Sequence, residues 1–399
     1  MSERRERRAR LRQRLWQPPR PHGGQPLERD VSPLELFYDL VVVVLVGQAA
    51  HQLAGHVSRR GLADFGAVFM LVWIAWLNGS LYHDLHGRED ARSRTVLLVQ
   101  LLALVPLGAF IPRAGDRGAV AFPVGAAVLF LVLALIWYLA GRPSEPRFHR
   151  SSLLFVAGTG ACAAVLAATA RLPPDARVTA WLLLDAAYLA GFSAMIGKAP
   201  PGLAVTPALI ERFGLFIIIV LGETIVGVVD GLAHEPADAL TIAVGLVAVV
   251  IGFGAWWTYF DFVGHRPPRP ARASTVRWII THLPFTAAVT AMGATMPSLV
   301  EHAHGGRTPA PVAWLLCGAT ALVLAAAMGI ASSLQAWDDK RPLYHLLART
   351  CAVVAVLCLA LGAARPAPLP LGLALVVLLA VPWSFAVMHR ATWDAGAQD

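Results

Sequence analysis

Charge is scarce in this sequence. Only 15% of its 399 residues are charged, against about a quarter in a soluble globular chain. Cysteine is scarce too, and none of the four stands in a Cys-x-x-Cys pair. Cys162, Cys317, Cys351 and Cys358 all fall within apolar runs. They read as small core residues, which argues against a disulfide framework and a zinc site. The chain has no P-loop spacing, haem motif, His-Glu-x-x-His pair, Asp-Asp-x-x-Asp run or nucleophile motif. ATP-driven transport by this chain alone is therefore not expected, and neither a cofactor nor a metal is expected. The alternating ten-residue segments of a membrane β-barrel are missing. No apolar segment with a small-residue cleavage site follows the N-terminal arginines, so a signal peptide is not expected.

Apolar sequence fills the rest: 57% of residues are hydrophobic. The runs predict an all-α integral membrane protein with about twelve transmembrane helices. The spans fall at 34–55, 62–82, 94–111, 119–140, 150–170, 177–197, 208–229, 238–262, 275–297, 312–334, 345–364 and 369–389. The net charge of +8 is concentrated at the start, where residues 1–30 hold nine Arg against Glu3, Glu6, Glu28 and Asp30. That segment reads as a basic, disordered cytoplasmic tail that sets topology and can touch anionic lipid. A nucleic-acid partner is not expected; the lipid bilayer is. Outside the tail, the predicted inner segments hold 15 Lys and Arg and the outer loops eight. Both termini are therefore predicted to be cytoplasmic, in a multi-pass protein of the inner (plasma) membrane.

The chain also repeats motifs. Glu35-Leu-Phe37 opens span 1 and Glu211-Arg-Phe213 opens span 7, and each run reaches a glycine and a polar residue, Gly47-Gln48 or Gly222-Glu223. Spans 2 and 8 end in Tyr-x-Asp-x-x-Gly, at Tyr82, Asp84 and Gly87 and at Tyr259, Asp261 and Gly264. Thr95-Val96 matches Thr275-Val276, and Phe148-His149 matches Tyr344-His345. Four matches in order predict two parallel six-helix repeats, 31–200 and 201–390, followed by a short tail at 391–399. Halves of this kind are related by an axis along the membrane normal, as in major facilitator transporters.

Three segments together carry a family resemblance: LELFYDLVVV at the first span, ERFGLFIIIVLGETIVGVV at 211–229, and WWTYFD with THLPFTAAVTAMG within 256–293. With them the chain resembles the bacterial low temperature requirement A family over residues 31–390. The matching positions are Glu35, Phe37, Asp39, Gln48, Glu211, Arg212, Gly222, Glu223, Asp261 and His282; Tyr38 stands where Phe is commoner. The resemblance implies a multi-pass inner-membrane protein associated with growth in the cold. It supplies no substrate and no reaction.

Polar groups inside a membrane are the candidate site, because they are costly there and usually functional or paired. Asp39, Glu223 and His282 are each flanked by apolar residues and lead the set. Glu35, Gln48, Asp261, Tyr259, Asp84 and Tyr82 complete it as candidates for binding a solute or ion. Simpler roles are also open. Glu35 can complement a helix start, Glu211 and Arg212 can neutralise each other, and Asp84 and Asp261 can pair with Arg88 and Arg266. Asp185 in span 6 is a further lone carboxylate, without a counterpart in the other repeat. The favoured function is a proton- or cation-coupled solute transporter or permease, with His282 titrating near neutral pH and relaying the proton. The alternatives are an intramembrane enzyme on a lipid-like substrate, with carboxylate and histidine acting as acid and base, and a membrane protein without turnover that supports cold adaptation.

Overall fold

The computed structural model describes residues 16–20, 31–88, 90–116, 118–141, 146–198 and 205–396. Twelve long helices account for most of them: α1 (Pro33–Gly55), α2 (Arg59–His86), α3 (Ala91–Phe110), α4 (Ala121–Gly141), α5 (Pro146–Thr169), α6 (Pro174–Lys198), α7 (Pro207–His234), α8 (Ala239–Phe262), α9 (Arg272–Glu301), α10 (Ala310–Ala331), α11 (Arg341–Ala364) and α12 (Pro368–Gly396). Five of them begin on proline, which lacks the N–H that a first helical turn would leave unpaired and has φ already set. A 3-10 turn, Ile111–Arg113, continues α3, and a one-turn helix, Gln335–Asp339, precedes α11. Among the described residues the only β pairing is an isolated bridge between Pro268 and Leu334.

All twelve are long and apolar enough to cross a membrane. Each overlaps a predicted span, but several run further. Helices α2 and α7 have 28 residues and α9 has 30. Hydropathy marks only the hydrocarbon-deep part of a helix, whereas polar ends such as Tyr82–His86 keep the helical hydrogen bonding. Pro106, Pro284, Pro297 and Pro382 lie inside their helices. Pro123 lies in the first turn of α4, where it removes no helical hydrogen bond.

Packing divides the chain into two compact units, 1–48 with 66–212 and 49–65 with 213–399. In the first, α2 supplies much of the buried core, with Trp73 and Trp76 fully enclosed. Tyr82 near its end packs edge-on against His83 and Trp137. The adjoining loop holds part of the basic tail. Gln17 N donates to Asp90 Oδ2 at 2.8 Å, Arg88 Nε donates to the Pro18 carbonyl at 3.0 Å, and His86 Nδ1 lies 2.7 Å from the Arg20 carbonyl. Residues 16–20 are thus docked; the rest of the tail expected to be disordered lies outside the described residues.

In the second unit α9 is the central helix, buried along most of its length from Ser274 to Val300. Helices α7 and α9 meet backbone to backbone. A Cβ at Gly227 would lie 2.8 Å from the Gly293 carbonyl oxygen, and one at Gly293 would lie 3.2 Å from Thr224 Cα. Small residues permit this approach, which is how membrane helices pack without a hydrophobic driving force. Charges in this unit gather in the loops. Arg269 NH1 donates to Asp338 Oδ2 at 2.8 Å, and the Arg269 hydrogen bond holds the Asp338 carboxyl below its usual pKa. Asp238 caps α8 and meets His304 Nε2 at 2.9 Å; that hydrogen bond, with those from Thr241 and Leu240, depresses its pKa.

Asp90 caps α3 through Ser93 N at 2.9 Å while holding Gln17. Burial pushes its carboxyl pKa up, but these hydrogen bonds outweigh burial and leave it below the usual value. A depressed carboxylate stabilises the fold above its unfolded pKa of about 3.9 and loses that contribution as pH falls through the folded value. Protection of the Gln17 and Arg20 amides, corrected for intrinsic exchange rates, is therefore expected to fall below about pH 4. Asp90→Ala is expected to remove it at neutral pH and to destabilise the α3 start by about 1 kcal/mol. Hydrogen-exchange mass spectrometry reads both; unchanged protection in Asp90→Ala would contradict the docking.

Candidate functional site

Helix α1 starts with a reciprocal cap. Glu35 N donates to Ser32 Oγ at 3.3 Å, and Ser32 N donates to Glu35 Oε2 at 3.4 Å. This is the Ser-x-x-Glu capping box, and it gives Glu35 its helix-start role. Asp39 lies one turn further on, about 40° around the helix and so on the same face. It is fully buried.

Asp39 is not alone. Arg212 NH2 donates to its Oδ1 at 2.9 Å, and Arg212 Nε lies 3.2 Å from each oxygen. Trp76 Nε1 donates to Oδ1 at 2.8 Å. Arg212 was expected to neutralise its neighbour Glu211. Adjacent residues point about 100° apart on a helix, so Arg212 turns inward to the carboxylate on α1 instead. Its guanidinium also lies 5.5 Å from the centre of the Tyr38 ring, within cation–π range. The Tyr38 hydroxyl lies 3.4 Å from the Ala75 carbonyl. A Cβ at Gly79 would come within 2.5 Å of that hydroxyl and 2.8 Å of Gln100 Oε1. Glycine is what lets α2 pass this close.

Two buried groups here keep unused hydrogen-bonding capacity among the described residues. Arg212 NH1 has no acceptor, and neither amide atom of Gln100 has a partner. The site thus combines a neutralised ion pair, an aromatic wall and two open polar groups inside a membrane-spanning unit.

The other candidates fall elsewhere. In the same unit, Asp84 Oδ1 accepts from Thr206 Oγ1 at 2.5 Å, and Arg88 turns to residues 17 and 18 instead of Asp84. Thr206 in turn caps α7 through Leu209 N. Tyr82 belongs to the aromatic cluster at the end of α2. Gln48 is half-buried. In the second unit, Tyr259 and His282 come together, with 3.1 Å between the hydroxyl and Nε2. His282 Nδ1 lies 2.6 Å from the Trp278 carbonyl. A carbonyl only accepts, so Nδ1 carries the hydrogen and Nε2 accepts from Tyr259. Both nitrogens of a neutral ring are thereby satisfied, between Phe213 and Trp278. Asp261 Oδ2 accepts from Trp257 Nε1 at 3.1 Å, and Arg266 reaches its backbone carbonyl instead of its carboxylate. Glu223 is half-buried on α7, with no hydrogen-bond or ionic partner among the described residues. No three His, Cys, Asp or Glu side chains converge in a metal-ligating group among those residues.

Sequence reasoning missed Arg212, Trp76, Tyr38 and Gln100 as members of the site. One signal was present. Asp39 and Arg212 both lie in the second turn of their helices, at matching depth with opposite charge. Trp76→Phe removes a hydrogen bond to a charged group, with an expected loss of about 1.5–3 kcal/mol. Gly79→Ala forces Tyr38 and Gln100 apart, with a loss of about 1–3 kcal/mol. Chemical unfolding in detergent measures both; a neutral effect of Gly79→Ala would contradict the close packing at Tyr38.

Comparison with known proteins adds the following. The family model described as "Bacterial low temperature requirement A protein (LtrA)" matches residues 30–382. An "Uncharacterized protein RA0937" of Rhizobium meliloti (strain 1021) is 24% identical over 279 residues, 65% of this chain and 67% of that protein. No solved structure matches. The family match spans most of the chain: this is a multi-pass helical membrane protein belonging to the bacterial low temperature requirement A family.

Proposed function

We propose that the protein is a proton- or cation-coupled solute transporter of the cell membrane, with both termini cytoplasmic and the Asp39–Arg212 pair as its coupling element. The observation that carries this reading is the complete burial of that ion pair beside an Arg212 N–H with no acceptor. A buried ion pair rarely stabilises a fold more than apolar residues of the same size would. Charges at membrane depth more often serve a moving ion or solute.

Two states follow from the chemistry. With Asp39 ionised, Arg212 is compensated and the helices bearing them are held together. A proton or cation on Asp39 cancels that charge. Arg212 is then left with donors and no anion, and must move or take an anionic group from a solute. Ligand binding thereby biases a two-state element, which is what coupling requires. Glu223 is the second carboxylate in this reading, in the half spanning 201–390. The His282–Tyr259 pair, satisfied as a neutral ring, positions α8 against α9.

A second reading has an observation of its own. Asp39 receives Trp76 and two nitrogens of Arg212, which also fits a fixed lock in a protein without turnover. Proteoliposomes separate the two. The probe is the proton, read by an internal pH dye under imposed potential and pH gradients, with panels of small carboxylates, amino acids, sugars and alkali cations. Wild type is expected to move protons and Asp39→Asn to move none while remaining folded. Folded wild-type protein that moves neither protons nor cations under any gradient would overturn the transporter reading.

A further inference from the structure

Asp185 lies in the middle of α6, 1% exposed, and neither of its carboxylate oxygens has a hydrogen-bond partner among the described residues. Polar side chains elsewhere between α2, α5 and α6 are committed to one another. On α6, the Tyr188 hydroxyl donates to Asn78 Oδ1 of α2 at 3.0 Å. On α5, Thr159 Oγ1 lies 3.3 Å from the Tyr188 hydroxyl and donates to the Phe155 carbonyl at 2.9 Å. From α4 the packing groups are Phe122 and Phe130, which are not titratable. Among the described residues, the titratable group within electrostatic range of Asp185 is the Cys162 thiol of α5. Arg177, two turns earlier on α6, donates from NH1 and NH2 to the carbonyls of Ala114, Asp116 and Leu172, while its Nε has no partner among the described residues.

A charged carboxylate without a partner is the least tolerable group in an apolar interior. The neutral acid removes that charge. A mostly apolar groove of about 770 Å³, open along one side where Leu154 and Val165 are exposed, runs along the α5–α6 seam, lined among others by Arg150, Ser151, Cys162, Tyr188, Gly191 and Met195. From Arg150 to Val165 its lining follows α5 for about 22 Å. One end lies where α5 begins and α6 ends, the end predicted to be cytoplasmic. Toward the other end the lining includes Cys162 and Leu184, the residue next to Asp185 in the chain. Cys162 belongs to both features: it lines the groove and lies within electrostatic range of the carboxyl.

We propose that Asp185 is a proton-binding site, loaded through the α5–α6 groove and separate from the Asp39–Arg212 pair. A proton passes from water to a carboxylate oxygen, and no other bond changes. The site does not depend on the transport reading and would hold in a protein that transports nothing.

The test uses full-length protein in nanodiscs with dicyclohexylcarbodiimide, which modifies carboxylic acids held neutral in apolar surroundings. Peptide mapping at neutral pH is expected to find the adduct on Asp185 and none on Asp39. Infrared spectroscopy is expected to show a protonated-carboxyl band that Asp185→Asn removes. Gly191 lines the groove, and a Cβ there meets nothing within 4 Å. Gly191→Trp is therefore expected to fill the groove and slow the labelling several-fold. If Asp185→Asn does not fold, the wild-type adduct and a band shifted by isotope-labelled aspartate still decide. Folded wild-type protein with Asp185 unmodified and no such band would overturn the proton site. Unchanged labelling in folded Gly191→Trp would overturn the groove route.

Discussion

A charge cannot stand alone in an apolar interior, and the first unit is arranged around meeting that constraint at Asp39. The carboxylate needs Arg212, so α7 must begin where its second turn reaches α1. Trp76 must present its indole N–H, which fixes the rotation of α2. Tyr38 flanks the guanidinium, and α2 must pass so closely that position 79 has no side chain. One ion pair therefore sets the rotation and register of three helices. Breaking such a pair from one side leaves an uncompensated charge and is far more damaging than removing it whole.

The second unit meets the same constraint by a different route. Its deepest polar pair, Tyr259 and His282, is uncharged and internally satisfied. Among the described residues its ion pairs sit in the loops and at helix ends, as at Arg269–Asp338, Asp238–His304 and Asp230–His234. The packing of α7 on α9 relies on glycine-to-backbone contact. The two units thus differ in chemistry. The first holds the buried charge, and the second holds the long central helix α9 and the half-buried Glu223.

The helices were legible because apolar run length is a property of the chain alone. The Ser32–Glu35 cap was legible for the same reason, since its partners are three residues apart. Helix ends were less so: the polar stretch from Tyr82 to His86 looks like loop to hydropathy yet continues α2. Pairings between distant segments were not legible. Arg212 has Glu211 beside it in sequence and Asp39 beside it in space. Asp84 has Arg88 one turn away but receives Thr206. Residues 17–20 read as disordered tail by composition, yet they dock partly through backbone groups, which composition does not report. Asp185 stood out as a lone carboxylate, but its lack of a partner is a property of packing.

Membership of the low temperature requirement A family and the twelve apolar helices place this chain in the membrane. The proposed coupling role turns on whether Asp39 and Arg212 act as one unit that the fold can spare and transport cannot. A double-mutant cycle with Asp39→Leu and Arg212→Leu, read by chemical unfolding in detergent and by proton flux, tests this most directly. The account predicts that each single substitution destabilises by about 3–5 kcal/mol. The double variant should be more stable than the summed losses imply by about 2 kcal/mol or more, and should carry no flux. Additive losses, or flux retained in the double variant, would contradict it.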